Sequence, residues 1–163
     1  MLRTKEKIDN WLGKCCYYIL PINQEYYYGS GKNIAICTLS DIRLLENIRN
    51  SPDIMKKIII VGRLLSENKG IDKIIEFVNY NADLKFIILC GRDAKGHKPG
   101  EALISLKYNG IDSKKRILCT RSPYSKLKSS YANIEKFRKQ IEIIDCIGLK
   151  NIKNIKLIVN ANS

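Results

Sequence analysis

The sequence is poor in histidine, in paired cysteine motifs and in long apolar runs. It contains a single histidine, His97, so a zinc site built from several imidazoles is excluded, and no Ser or Cys elbow indicates a catalytic triad. The six cysteines form no C-x-x-C motif, which favours reduced thiols in a cytoplasmic setting over a zinc site or disulfide framework. No apolar run approaches the roughly 18 residues that suggest a spanning helix, and the N-terminus lacks an apolar signal core. We therefore expect a soluble, cytoplasmic chain.

What the sequence has in excess is positive charge. The 163 residues include 29 Lys and Arg but 16 Asp and Glu, giving a formal net charge of +13. Such a surplus admits nucleic acid, phosphate-rich ligands or an acidic partner. The lysines are scattered along the whole chain, which favours an ordinary basic surface. A basic phosphate- or nucleic-acid-binding module nevertheless remains an alternative function.

Apolar runs and helical patterns alternate along the chain. We predict helices at 41–50 after a Ser40 cap, at 68–81, at 101–110, and from 131 to a stop at Gly148. Strands are predicted in five apolar, β-branched runs: 33–39, 57–62, 85–91, 116–120 and 155–159. This order predicts an α/β fold, a Rossmann-like, mostly parallel sheet with helices on both faces. The expected domains are a lead-in at 1–29, the Rossmann-like domain at 30–150, and a tail or edge strand at 151–163.

The third predicted strand leads into the loop CGRDAKGHKPG, at the edge of the sheet where parallel α/β proteins bind ligands. Gly91 and Gly96 have the spacing of a P-loop, but His97 and Lys98 stand where Lys and Ser or Thr are required. The H-x-x-G of His97 to Gly100 matches half of the D-x-H-x-x-G signature of well-known cobalamin-binding domains. A macrocycle that fills the equatorial positions of its metal needs only one axial ligand, and imidazole suits cobalt or iron. On the residues alone, a solvent-facing loop histidine is the commoner outcome.

Four segments resemble the A subunit of tetrahydromethanopterin S-methyltransferase, the corrinoid-carrying subunit of a sodium-pumping methyltransferase of methanogens. The most specific parts are E-N-x-G-I-x-K and C-G-x-x-x-x-G-H-x-x-G, within residues 34–39, 61–78, 84–112 and 134–148. The resemblance implies a domain that binds a cobalamin derivative, with cobalt cycling between Co(I) and methyl-Co(III) and His97 as axial ligand. It also implies methyl-tetrahydromethanopterin as donor and coenzyme M as acceptor, both reached through partner subunits. The chain would then be a methyl carrier rather than a complete enzyme.

The resemblance also implies which residues line the corrinoid. Glycines would allow close backbone approach, and Glu67 or Asn68 would anchor polar groups, although Asn68 also fits a helix cap. A second partner should hold the other imidazole nitrogen, and our hypothesis for it is Asp93. The implied lining residues are Thr38, Leu39, Glu67, Asn68, Gly70, Gly91, Gly96, His97, Gly100 and Pro123.

The sequence departs from the family pattern in three places. The family's A subunits usually end in a membrane helix, whereas this chain ends in IKLIVNANS, so we expect a truncated form or a soluble homologue. Glu101 stands in place of the usual glutamine. Residues 121–132 replace an apolar segment rich in glycine and proline, leaving Pro123 and Tyr124 as lining candidates there. These departures leave the physiological partner open.

Overall fold

The computed structural model describes residues 26–163, which form a mixed, mostly parallel sheet and six helices. The sheet order is β1-β3-β2-β4-β5, with β1 antiparallel to β3 and the other pairs parallel. The strands are β1 (Tyr26–Tyr28), β2 (Ile34–Cys37), β3 (Ile60–Gly62), β4 (Phe86–Gly91) and β5 (Glu142–Ile147). The helices are α1 (Ile42–Arg49), α2 (Pro52–Met55), α3 (Lys69–Tyr80), α4 (Pro99–Asn109), α5 (Tyr131–Gln140) and α6 (Ile152–Asn162).

Alternate residues of the central strand β2 point to opposite faces of the sheet. Ala35 and Cys37 belong to a core that contains buried side chains of α3, α4 and α5. Ile34 and Ile36 belong to a second core, which contains buried side chains of α1, α2 and α6. Because helices cover both faces, the strands read as continuous apolar runs in the sequence. The predicted α/β architecture is confirmed.

One predicted strand, residues 116–120, is absent from the sheet. Strands β2, β3 and β4 lie within the first three predicted runs, but this fourth run makes only isolated bridges, between Ile111 and Ile117 and between Arg116 and Lys126. Ile117 is 5% exposed whereas Leu118 is 41% exposed. The run is apolar because its loop packs Ile117 against the core, and the strand prediction is wrong.

Two further predictions are wrong near the C-terminal end. The predicted helix up to Gly148 stops at Gln140, and the residues after it form β5 in parallel with β4. Residues 155–159, predicted as a strand, lie within α6. Ile155 and Val159 are one turn apart on that helix and fully buried. The apolar run therefore forms the buried face of a helix and not a strand.

The chain also forms an element where none is predicted, the edge strand β1. The connection after it depends on glycine, since a Cβ at Gly31 would lie 2.1 Å from the carbonyl oxygen of Lys57. The sequence GSGK therefore packs its backbone closely against the residues before β3, and the amides of Gly29 and Gly31 donate to the carbonyls of Ile59 and Ile58. The remainder of the predicted lead-in, residues 1–25, lies outside the described residues, and the domain boundaries stay predictions.

Candidate functional site

The loops that follow β2, β3 and β4 are joined at the carboxyl edge of the sheet. The amide of Thr38 donates to the carbonyl of Gly62 at 2.9 Å, and the amide of Ser40 donates to the carbonyl of Arg92 at 3.0 Å. The Ser40 hydroxyl donates to the same Arg92 carbonyl at 2.6 Å. The predicted Ser40 cap is wrong, because Asp41 caps α1 by accepting the amide of its first turn.

Asp93 closes the loop that carries His97. Its carboxylate accepts the amides of Ala94 at 3.0 Å, Gly100 at 3.1 Å and Glu101 at 3.0 Å. The last two belong to the first turn of α4, where amides lack partners within the helix. The hypothesis that Asp93 holds the imidazole is therefore wrong. The same bonds occupy amides that a phosphate would need at this helix terminus, which disfavours the phosphate-binding interpretation of the loop.

The partner of His97 is Glu67, from the loop between β3 and α3. The Nδ1 atom lies 3.1 Å from Glu67 Oε2 and 3.2 Å from Oε1. The Glu67 side chain is 1% exposed and the imidazole 34% exposed. Because an ionised carboxylate only accepts hydrogen bonds, Nδ1 carries the proton and donates it. The neutral ring then holds its lone pair on Nε2, where a metal could bind.

The pair has two charge states that depend on pH. The hydrogen bond that the imidazole donates to Glu67 raises the pKa of His97 above its ordinary value, and partial burial opposes this rise. Below the raised pKa the ring is an imidazolium paired with the carboxylate. Above it the ring is neutral, which is the form that binds metals.

Main-chain and hydroxyl groups of the segment after Thr120 hold both members of the pair. The Tyr124 amide donates to Glu67 Oε1 at 3.1 Å. The Ser122 hydroxyl donates to the carbonyl oxygen of His97 at 2.7 Å and to that of Lys98 at 3.0 Å. Sequence reasoning missed the Tyr124 contact because no side-chain pattern marks a main-chain donor.

Some of the predicted lining residues lie near His97, and others are packed into the loops. Glu67 contacts the imidazole, and Gly96 precedes His97 in the loop, where an added Cβ would meet no atom within 4 Å. Asn68 accepts the Lys69 amide at 2.6 Å, which confirms the predicted cap of α3.

The other members of the set, apart from Pro123, pack inward at the same edge. Thr38 and Leu39 are fully buried, and Pro123 is exposed. An added Cβ would lie 2.6, 2.6 and 2.9 Å from its nearest neighbour at Gly70, Gly91 and Gly100 respectively. These glycines thus allow close packing of the loops, and the contacts of the whole set with a cofactor stay predictions.

The cysteines of the described part of the chain form no disulfide and join no metal-binding cluster. Burial raises the pKa of the Cys37 thiol to about 12, and burial also raises the pKa of Cys90. The four cysteines between residues 26 and 163 are free thiols. Over the same residues, no group of three or more His, Cys, Asp or Glu side chains could hold a metal ion.

None of the helices between residues 26 and 163 has the length and apolar character needed to cross a membrane.

A family model and individual relatives point to the same protein family. The family model for the A subunit of tetrahydromethanopterin S-methyltransferase matches residues 20–162. The A subunit of the provisionally named methyltransferase Mtx of Methanosarcina acetivorans is 30% identical over 141 residues, covering 85% of this chain and 67% of the relative. The first of two A subunits of tetrahydromethanopterin S-methyltransferase in Methanothermobacter thermautotrophicus is 30% identical over 138 residues, covering 83% and 56%.

A third relative belongs to the same methyltransferase. The A subunit of tetrahydromethanopterin S-methyltransferase of Methanohalophilus mahii is 28% identical over 133 residues, covering 80% of this chain and 53% of the relative. The chain thus spans between about half and two thirds of the length of these curated relatives. The family match covers most of the chain and includes the Glu67–His97 pair. The chain belongs to the family of the tetrahydromethanopterin S-methyltransferase A subunits.

Proposed function

We propose that this chain binds a cobalamin derivative and carries its methyl group, with His97 as the axial ligand to cobalt. One observation carries the proposal: a buried carboxylate, Glu67, holds the Nδ1 side of an imidazole that is 34% exposed. Histidines that bind metals commonly donate their other ring N–H to a carboxylate, which fixes the tautomer and strengthens the ligand. The arrangement suits a ligand that the protein supplies alone to a metal already held by a macrocycle.

The surroundings of His97 fit a large, flat group. A Cβ added at Gly96 would meet no atom within 4 Å, so the residue next to His97 leaves room for close approach of a ligand. Asp93 and Ser122 fix the backbone on either side of the histidine through the amides of α4 and the carbonyls of the loop. The loop therefore presents the imidazole from a held backbone.

Each residue of the site has a defined part in this function. A bound cobalamin derivative would supply the metal centre that accepts a methyl group and passes it on. His97 offers Nε2 to that metal, and Glu67 keeps the proton on Nδ1. The Tyr124 amide shares Glu67 Oε1 with the imidazole, so the carboxylate stays oriented when His97 changes its charge.

The methyl donor and acceptor are proposed from family membership. We propose methyl-tetrahydromethanopterin as donor and coenzyme M as acceptor, with the two transfers catalysed by partner subunits. The chain is then a carrier within a methyltransferase, and its partners approach the edge of the sheet that carries His97.

A titration with hydroxocobalamin tests this proposal. Visible absorbance is recorded for the wild type, for His97→Ala, and for Lys95→Ala, an exposed neighbour in the same loop that serves as the matched control. We expect saturable spectral changes in the wild type and the control, because both retain the imidazole. In His97→Ala the component due to the axial imidazole is lost.

Two results would contradict the proposal in different ways. A bound spectrum in His97→Ala identical to that of the wild type would remove His97 as the ligand. Failure of the wild type to retain cobalamin through gel filtration would remove the corrinoid altogether.

A further inference from the structure

Two short stretches of the chain between α4 and α5 lie side by side and form an irregular antiparallel ribbon. The amide of Ile117 donates to the carbonyl of Ser125 at 3.1 Å, and the amide of Leu127 donates to the carbonyl of Lys115 at 2.9 Å. These bonds fix the two stretches against each other without joining them to the main sheet. We call residues 114–117 and 125–128 the basic ribbon.

The basic ribbon has a buried face and an exposed face, because neighbouring residues of an extended chain point to opposite sides. Ile117, Ser125 and Leu127 are buried. The residues that alternate with them are exposed and carry positive charge: Lys114, Arg116, Lys126 and Lys128. The sequence has no acidic residue between positions 113 and 134. The ribbon therefore gathers on one surface basic side chains that the sequence keeps apart.

The exposed face places like charges next to one another. Arg116 and Lys126 are bridge partners, and like charges directly opposite each other destabilise an antiparallel pair. Asp112 relieves part of this repulsion, because its Oδ2 atom lies 2.8 Å from Nε of Arg116. Within residues 26–163, Lys114, Lys126 and Lys128 form no ion pair. Three ammonium groups of the ribbon are therefore available to an external anion.

The loop that joins the two halves of the ribbon also holds the proposed cofactor ligand. The Ser122 hydroxyl donates to the carbonyl oxygen of His97, and the Tyr124 amide donates to Glu67. The exposed ring of Tyr124 lies 6.4 Å from the imidazole, measured between centroids. A macromolecule that covers the ribbon and its loop therefore borders the imidazole.

The surroundings of the ribbon favour a protein over a nucleic acid as the anion. A two-stranded ribbon with basic side chains also has the shape that enters the major groove of duplex DNA. The joining loop, however, exposes Tyr124 and Arg121, which belong to the residue types enriched in protein interfaces. The proposed function also requires proteins that bring the methyl group and remove it, and these have to reach the edge that carries His97.

We propose that the basic ribbon docks an acidic surface of a partner subunit in the methyltransferase. This inference rests on the proposed function, which requires such a partner. Carboxylates of the partner pair with Lys114, Lys126 and Lys128, which offsets the repulsion within the ribbon. Complementary charges of this kind speed association and fix orientation more than they add affinity. The ribbon thus sets the side from which the partner meets the edge of the sheet.

The test measures binding of poly-L-glutamate, a probe for an acidic protein surface, by fluorescence anisotropy at low salt. The wild type is compared with two variants: Lys114→Gln/Lys126→Gln/Lys128→Gln in the ribbon, and the matched control Lys32→Gln/Lys56→Gln/Lys85→Gln. The control lysines are exposed and precede β2, β3 and β4, at the opposite edge of the sheet. Both variants lose three charges from the net +13, so general attraction falls equally in both. Lys126→Gln alone replaces the ribbon variant if that variant does not fold.

We expect the ribbon variant to bind poly-L-glutamate about tenfold more weakly than the control, because each exposed charge pair contributes modestly and three are removed. Equal binding by the two variants overturns the docking surface. The single histidine also locates the contact, since poly-L-glutamate should shift the imidazole proton signals of His97 in the wild type and the control. Unmoved signals at saturation overturn the placement of the partner beside His97.

Two further outcomes separate this inference from the alternatives. If the ribbon variant loses binding to a DNA duplex but binds poly-L-glutamate as the control does, the occupant is a nucleic acid and the protein partner is overturned. Wild-type protein that retains no cobalamin overturns the proposed function, whereas equal binding of poly-L-glutamate by the two variants overturns the docking surface alone.

Discussion

Glu67 accepts hydrogen bonds from two different elements through one buried carboxylate. The imidazole of His97 lies on one side and the amide of Tyr124 on the other. Replacing the carboxylate by an amide removes the charge but leaves a side chain of nearly the same shape. The exchange therefore separates the electrostatic part of this site from its packing.

We expect Glu67→Gln to lower the pKa of His97. The hydrogen bond to Glu67 is the largest cause of the raised pKa in the wild type, and the neutral amide cannot reproduce it. The measurement is an NMR titration of the imidazole protons, which is unambiguous because the chain has one histidine. Glu101→Gln, whose carboxylate pairs with Arg121, is the matched control. Equal pKa values in the wild type and Glu67→Gln would contradict the assigned cause.

The same pair makes stability depend on pH in a defined direction. The folded pKa of His97 lies above the value of about 6.5 expected in the unfolded chain, so the ion pair contributes fully below that value. The contribution is lost as pH rises through the folded pKa. The stability advantage of the wild type over Glu67→Gln should therefore be larger at about pH 5.5 than at about pH 9, measured by urea unfolding. An advantage that grows with pH would contradict the charge assignment.

Sequence reasoning identified the two site residues separately, but not their pairing. Glu67 follows β3 and His97 follows β4, and β2 lies between those strands. The two loops meet only because they fold over the edge of the sheet across β2. No local sequence pattern predicts that fold. Asp93 was the nearer carboxylate in sequence, but the amides of α4 compete for its oxygens.

At the scale of elements, β-branched apolar runs caused the wrong predictions. Periodicity does not separate a short buried strand from a buried helix face. The run after Ile134 keeps a helical spacing into β5, and the helix ends only because Ile141 takes an extended backbone. The reverse occurs in α6, where Asn151 caps the start by accepting the amides of Lys153 and Asn154. Predictions succeeded where one face of a helix was clearly polar, as in α1 and α3.

Two substitutions on α6 should have very different effects. Ile155 is fully buried in the core shared with α1 and α2, so Ile155→Ala should lower the free energy of unfolding by about 2–5 kcal/mol. Leu157 is 66% exposed on the same helix, so Leu157→Ala should change it by no more than about 0.5 kcal/mol. Urea unfolding of both variants gives the comparison. Similar losses for the two would mean that α6 does not pack as described.

For the whole molecule, the net charge of +13 should make stability depend on salt. Like charges repel one another more in the compact state than in the expanded chain, and salt screens this repulsion. The ion pairs between exposed partners contribute little individually, so their screening should not reverse the effect. We expect the thermal midpoint to rise as NaCl increases from about 0.02 to about 0.2 M, where the Debye length shortens to below about 10 Å. A falling midpoint would show that attractive pairs outweigh the surplus of lysine.

The bond from the Tyr124 amide to Glu67 has a consequence for how the chain can vary. Its donor belongs to the main chain, and every residue type except proline supplies that donor. Position 124 can therefore exchange its side chain while its amide keeps hold of the carboxylate. In a saturation library at position 124, proline alone should abolish the hydrogen bond to Glu67. Every other residue type should preserve it.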